Sequence, residues 1–129
     1  MCIRDRYIVD ADGSGLRQLT PWSLNGGDSP DWSPEGQLIL FRTVSTSNRH
    51  HGNLHTIHPD GTGLRKLTDY PAPRTVLTGS FSPDGEWITF SRFSDSPYPA
   101  VYVMRVDGTG VRRVSSDSAA YEPDWGPSP

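Results

Sequence analysis

The chain has 129 residues, among them 13 glycines and 12 prolines, and a formal net charge of −3 at neutral pH. That length fits one domain, and a Gly plus Pro share of about a fifth lies below the level of low-complexity chains, so a folded core is expected. The mild acidity gives no footprint for nucleic acid, no apolar run approaches the roughly 18 residues of a membrane span, and the lone Cys2 excludes an internal disulfide.

Residues 1–6 match nothing later in the chain and read as a non-native leader outside the fold. After Tyr7 the sequence is periodic. Ala11-Asp12-Gly13-Ser14-Gly15-Leu16-Arg17-Gln18-Leu19-Thr20 returns as Pro59-Asp60-Gly61-Thr62-Gly63-Leu64-Arg65-Lys66-Leu67-Thr68, then as Val106-Asp107-Gly108-Thr109-Gly110-Val111-Arg112-Arg113-Val114-Ser115. A second phrase alternates with it: Ser29-Pro30-Asp31-Trp32-Ser33-Pro34-Glu35-Gly36 comes back as Gly79-Ser80-Phe81-Ser82-Pro83-Asp84-Gly85 and, shortened, as Glu122-Pro123-Asp124-Trp125-Gly126-Pro127. Asp12 and Asp60 lie 48 positions apart, Asp60 and Asp107 47, Trp32 and Phe81 49. Periods of that size belong to propeller blades and solenoid units.

Within one period, Gln37-Leu38-Ile39-Leu40-Phe41 and Glu86-Trp87-Ile88-Thr89-Phe90 read as strands entered through Pro-Glu-Gly and Pro-Asp-Gly turns, with Gly36 and Gly85 taking positive φ. Leu54-His55-Thr56-Ile57 and Val101-Tyr102-Val103-Met104 read as strands that turn at Asp-Gly-Thr-Gly into Leu64-Arg65-Lys66-Leu67 and Val111-Arg112-Arg113-Val114. Helical spacing is absent, so each repeat holds four antiparallel strands, and neighbouring repeats must cover its faces. Trp32, Phe81 and Trp125 recur at one phase, where a large ring fills the space between adjacent sheets. The expected fold is all-β: a partial propeller of four-stranded blades.

These phrases, an apolar strand ending in Phe, and the run Val101-Tyr102-Val103-Met104 together resemble the TolB-type, WD40-like propeller repeat. The resemblance covers nearly the whole chain from Tyr7 to Trp125. It implies the outer two strands of a blade over 7–20, blades over 28–68 and 78–115, and the first strand of another over 121–129. Too few blades are present to close a ring, so the chain reads as a C-terminal piece of a longer propeller, partnered by the missing blades or by other copies. The resemblance also implies a non-catalytic module that binds a protein or peptide, at a periplasmic or extracellular location. The alternative is the propeller of a prolyl-oligopeptidase-like serine peptidase whose catalytic domain is absent from this chain. A third possibility is a carbohydrate-active propeller using its central channel, although the sequence singles out no pair of carboxylates as acid and base.

Motifs with a chemical look have structural explanations. The recurring Gly-x-Gly lacks the helix N-terminus that a phosphate cradle needs and reads as turn glycine. Gly27-Asp28-Ser29 echoes a nucleophile segment, but the nucleophile elbow and spaced triad partners are missing. His50, His51, His55 and His58 lie close in sequence, yet His55 and His58 stand three apart on a strand and point to opposite faces. No catalytic residue, cofactor or metal site is therefore expected. Arg65-Lys66 and Arg112-Arg113 fall on the outermost strands, where charge discourages sheet-to-sheet pairing.

Recognition is expected on the loops of one face, over 21–27, 44–53, 69–77, 94–99 and 116–120, because loops on a rigid scaffold carry binding. Trp22, Asn48, Arg49, His50, His51, Tyr70, Arg74 and Tyr98 supply aromatic or charged anchors there.

Overall fold

The computed structural model describes residues 5–47, 50–94, 96–116 and 120–126. Strands β1 (Tyr7–Ile8) and β2 (Arg17–Gln18) pair as a leading half-blade. The middle blade follows, an antiparallel sheet of β3 (Asp31–Trp32), β4 (Ile39–Val44), β5 (Gly52–Ile57) and β6 (Arg65–Lys66) in sequence order. The third blade repeats that order with β7 (Thr75–Phe81), β8 (Trp87–Phe93), β9 (Ala100–Arg105) and β10 (Arg112–Arg113). A single turn of 3-10 helix, Trp22–Leu24, is the helical element among the described residues.

Both turn phrases fold by side-chain bonds that recur from unit to unit. Asp12 Oδ1 accepts the backbone N–H and the hydroxyl of Ser14 at 2.9 and 2.6 Å, and Asp60 with Thr62 and Asp107 with Thr109 reproduce both distances. These bonds hold all three carboxyls below the usual carboxylate range, since each favours the ionised form. In the other phrase Ser33 Oγ accepts the N–H of Leu38 at 2.9 Å, and Ser82 does the same for Trp87. Gln37 and Glu86 are thereby drawn into the turn, and β4 and β8 begin at Ile39 and Trp87, later than the apolar runs predict.

A third device closes each blade at its outer edge. Leu54 donates its N–H to Thr68 Oγ1 at 2.9 Å, while its carbonyl accepts the N–H groups of Leu67 and Thr68. Val101 stands in the same relation to Val114 and Ser115, and Arg6 to Leu19 and Thr20. Arg6, grouped with the leader on sequence grounds, thus occupies with its backbone the place of Leu54 and Val101.

The core lies between the sheets. Leu40 and Leu54 of the middle blade meet Val76, Phe81, Ile88, Phe90, Tyr102 and Met104 of the third in one buried cluster, and Leu19 of the half-blade meets Ile39, Phe41 and Ile57 in another. Phe81 fills its seam at 5% exposure. Trp32, expected in the same role, is 49% exposed. The difference is one of neighbours, because the described half-blade supplies outer strands alone and Trp32 has no inner sheet to lie against. Trp125 is partly buried, and its indole N–H donates to the Ser80 carbonyl at 3.2 Å, although 120–126 forms no strand. Residues 127–129 lie outside the described residues.

Towards the rim, an arginine crosses each seam. Arg17 bonds the Pro59 carbonyl, and Arg65 the Asp107 carbonyl at 2.9 Å. Behind it, the turn glycine of the following unit packs on the preceding strand end: a methyl group on Gly108 would stand 2.9 Å from the Leu67 oxygen.

Candidate interaction face

The connections between blades and between second and third strands hold the anchor residues that the sequence singles out, and the structure divides them. Trp22, on the 3-10 turn, is 61% exposed, and Tyr98, between β8 and β9, is 53% exposed. His50 and Arg74 are exposed as well. Asn48 and Arg49 lie outside the described residues.

Tyr70 and His51 are engaged with the fold. The Tyr70 ring lies 4.3 Å from the Arg92 guanidinium, which Tyr102 flanks at 4.1 Å, so that the cation is held between two rings. The Tyr70 backbone N–H donates to Asn53 Oδ1 at 3.0 Å, and its carbonyl bonds His51 Nε2 at 2.6 Å. Asn53 Oδ1 also accepts the Thr68 hydroxyl at 2.8 Å. This network pins the start of the 69–74 connection to β5. Asn53 and Arg92 were not legible as its anchors from sequence, although a polar Asn opening an apolar strand is the trace that such a network leaves.

The histidines do not converge. His55 is 8% exposed on β5, stacked on Phe41 with centroids 5.8 Å apart, and its Nδ1 lies 3.3 Å from the Thr43 hydroxyl. Burial pushes the imidazole below its ordinary pKa; a hydrogen bond to the Asn53 backbone opposes this, and nearby Lys66 reinforces it. His58 Nδ1 instead bonds the Gln37 carbonyl at 2.9 Å. Among the described residues no group of three or more His, Cys, Asp or Glu side chains is placed to hold a metal ion.

Equivalent positions of the recurring Trp/Phe phrase, Asp31, Ser80 and Asp124, come together in a shallow depression of about 330 Å³ that Ser29, Thr78 and Glu122 complete. Ser80 Oγ donates to Asp124 Oδ1 at 3.0 Å. Ser29 sits here at φ 59°, and the acidic residues Asp31, Glu122 and Asp124, but no histidine, are among the lining residues.

No protein-family model matches the chain. The Tol-Pal system protein TolB of Anaeromyxobacter sp. strain K is 41% identical over 126 residues, covering 88% of this chain and 27% of that protein. That of Gluconobacter oxydans is 31% identical over 105 residues, covering 77% of this chain and 22% of the relative. Crystalline TolB from Acinetobacter baumannii superposes with a TM-score of 0.72 at 22% identity, over 88% of this chain and 27% of that one. The chain is a TolB-like β-propeller segment. It spans about a quarter of the length of these curated relatives. TolB-like repeats thus account for both recurring phrases, whereas prolyl oligopeptidase B from Galerina marginata, at 14% identity and a TM-score of 0.56, shares the fold alone.

Proposed function

We propose that this segment belongs to a non-catalytic binding module, which engages a protein or peptide through the loop face bearing Trp22 and Tyr98 and works in the periplasm. The observation that carries the reading is the exposure of these two aromatic rings on connections anchored to a repeat whose relatives are Tol-Pal proteins. Aromatic side chains on rigid supports are the usual energetic anchors of interfaces. No helix among the described residues is long and apolar enough to cross a membrane. A peptidase role would place the chemistry in a domain outside this chain.

Calorimetric titration of the chain against purified Tol-Pal proteins tests the reading. A saturable complex weakened tenfold or more, about 1.4 kcal/mol, in the Trp22→Ala/Tyr98→Ala variant supports it. A complex that this variant leaves unchanged removes the loop face from the account.

A further inference from the structure

Each unit turns one face towards the unit before it, and the repeat shows what covers that face. By strand register Tyr7 is the counterpart of His55 and Tyr102, and Val9, two residues on, of Ile57 and Met104. At the two internal seams these side chains are buried, whereas on the half-blade Tyr7 is 50% and Val9 51% exposed. Their cover inside the chain is the outer strand end of the preceding unit: Leu19 lies in the cluster that holds Ile57, and Leu67 packs against the one that holds Met104. The chain carries a third such strand end, and it stands open. Val114, at the position of Leu19 and Leu67, is 46% exposed. Arg112, at the position of Arg17 and Arg65, has no carbonyl of a following turn to bond among the described residues. Gly13 shows the matching gap at the leading end. Methyl groups on Gly61 and Gly108 would stand 3.6 and 2.9 Å from the Leu19 and Leu67 oxygens, but one on Gly13 would have nothing within 4 Å.

We propose that the exposed face of the half-blade docks on the trailing rim of a second copy of this chain, an assembly independent of the binding role proposed above. The occupant follows from continuity with the internal seams. An outer strand that ends in an apolar residue and carries an arginine bonded to the turn ahead covers this face at both of them, and β10 with Val114 is the described strand of that kind with no unit to cover. In the docked pair Val114 meets Val9 and Tyr7, Arg112 donates to a carbonyl of the Ala11-Asp12 turn, and the Val114 carbonyl closes on Gly13. The inner parts agree. Segment 120–126, bonded to Ser80 through Asp124 and Trp125, already holds the inner position of the next blade, and the half-blade of the second copy brings an outer pair to it. Each copy thus spans three blade positions, and two copies fill six, within the four to eight or so at which rings close. Contact is head to tail, and two equal seams close the pair. Among the described residues the composite blade has no second strand, so its seam is smaller than an internal one and the association belongs to the micromolar class.

Sedimentation velocity of the full chain across the micromolar range tests this. Expected is a reversible passage from one-chain to two-chain mass as concentration rises. Val9→Asp and Val114→Asp each put an unpaired charge into both seams, at a side chain about half exposed in the single chain, and each is expected to weaken association about a hundredfold. Arg112→Ala, which removes one hydrogen bond per seam, is expected to weaken it about tenfold. Orientation is read by mild oxidation in a Cys2→Ser background. The double variant Val9→Cys/Val114→Cys is expected to give a disulfide-linked two-chain species on a non-reducing gel, while Val9→Cys alone and Val114→Cys alone remain single chains. A wild type of one-chain mass throughout, association that survives either aspartate substitution, or a single-cysteine chain that links to its own kind would overturn the proposal. The first of these outcomes needs no variant, so the test stands even where a substituted chain fails to fold.

Discussion

Asp31 reaches across the seam between blades: its Oδ2 accepts the backbone N–H of Phe81 at 2.7 Å. First strands of neighbouring blades do not pair as a sheet, so the carboxylate satisfies a donor that the ladder leaves over. Asp31→Ala strands that partly buried N–H and is expected to cost about 1–3 kcal/mol in urea unfolding. Asp31→Asn keeps an acceptor oxygen and should cost less. Equal losses in the two variants would show that the bond is not what Asp31 contributes.

Phe81 and Trp32 occupy the same phase of the repeat with opposite burial. Phe81→Ala leaves a cavity among Leu40, Leu54 and Ile88 and is expected to cost about 3–5 kcal/mol. Trp32→Ala removes a ring already half in solvent and should cost well under half as much. Denaturant midpoints of the two variants, measured side by side, decide the matter. Similar losses would mean that Trp32 is covered in solution by something that the isolated chain does not show.

That pair also marks where sequence reading succeeds and where it stops. Turns are legible because their chemistry is local: Asp60 and Thr62, or Ser33 and Leu38, are close neighbours in the chain, and the phrase announces the bond. Alternation and strand order follow from the same phrases. Exposure of Trp32 was not legible, since a repeat specifies a phase but not whether a neighbour is present to cover it. Nor was the place of His55: a cluster of four histidines draws attention as chemistry, yet register makes this one the counterpart of Tyr102, a ring in the packing. Tyr70 and Trp22 looked alike as loop anchors, and a long-range bond from Asn53 separates them.

Glycine substitutions should separate turn strain from packing. Gly13 and Gly108 hold nearly the same conformation, φ 86° and 88°, so a methyl group costs each about 1–2 kcal/mol of left-handed strain. At Gly13 nothing lies within 4 Å of the added carbon, whereas at Gly108 the Leu67 carbonyl oxygen stands at 2.9 Å. Gly108→Ala is therefore expected to lower the melting temperature more than Gly13→Ala. Indistinguishable melts would show that the rim seam between these blades yields freely.

His55 ties stability to pH. Burial holds its folded pKa below the ordinary value of about 6.5, so the unfolded chain binds this proton first as pH falls. Its contribution is complete above pH about 6.5 and is lost progressively as pH drops from there towards the folded pKa. Charging the imidazole also sets it against Lys66, whose strand pairs His55 directly with that lysine. His55→Tyr, which copies Tyr102, removes the titration while keeping a stacking ring. Unfolding free energies measured between pH 5 and 8 should therefore slope less for this variant than for the wild type, in the acidic half of the range. Parallel curves would assign the slope to other groups and imply that His55 takes up its proton in the folded chain without penalty.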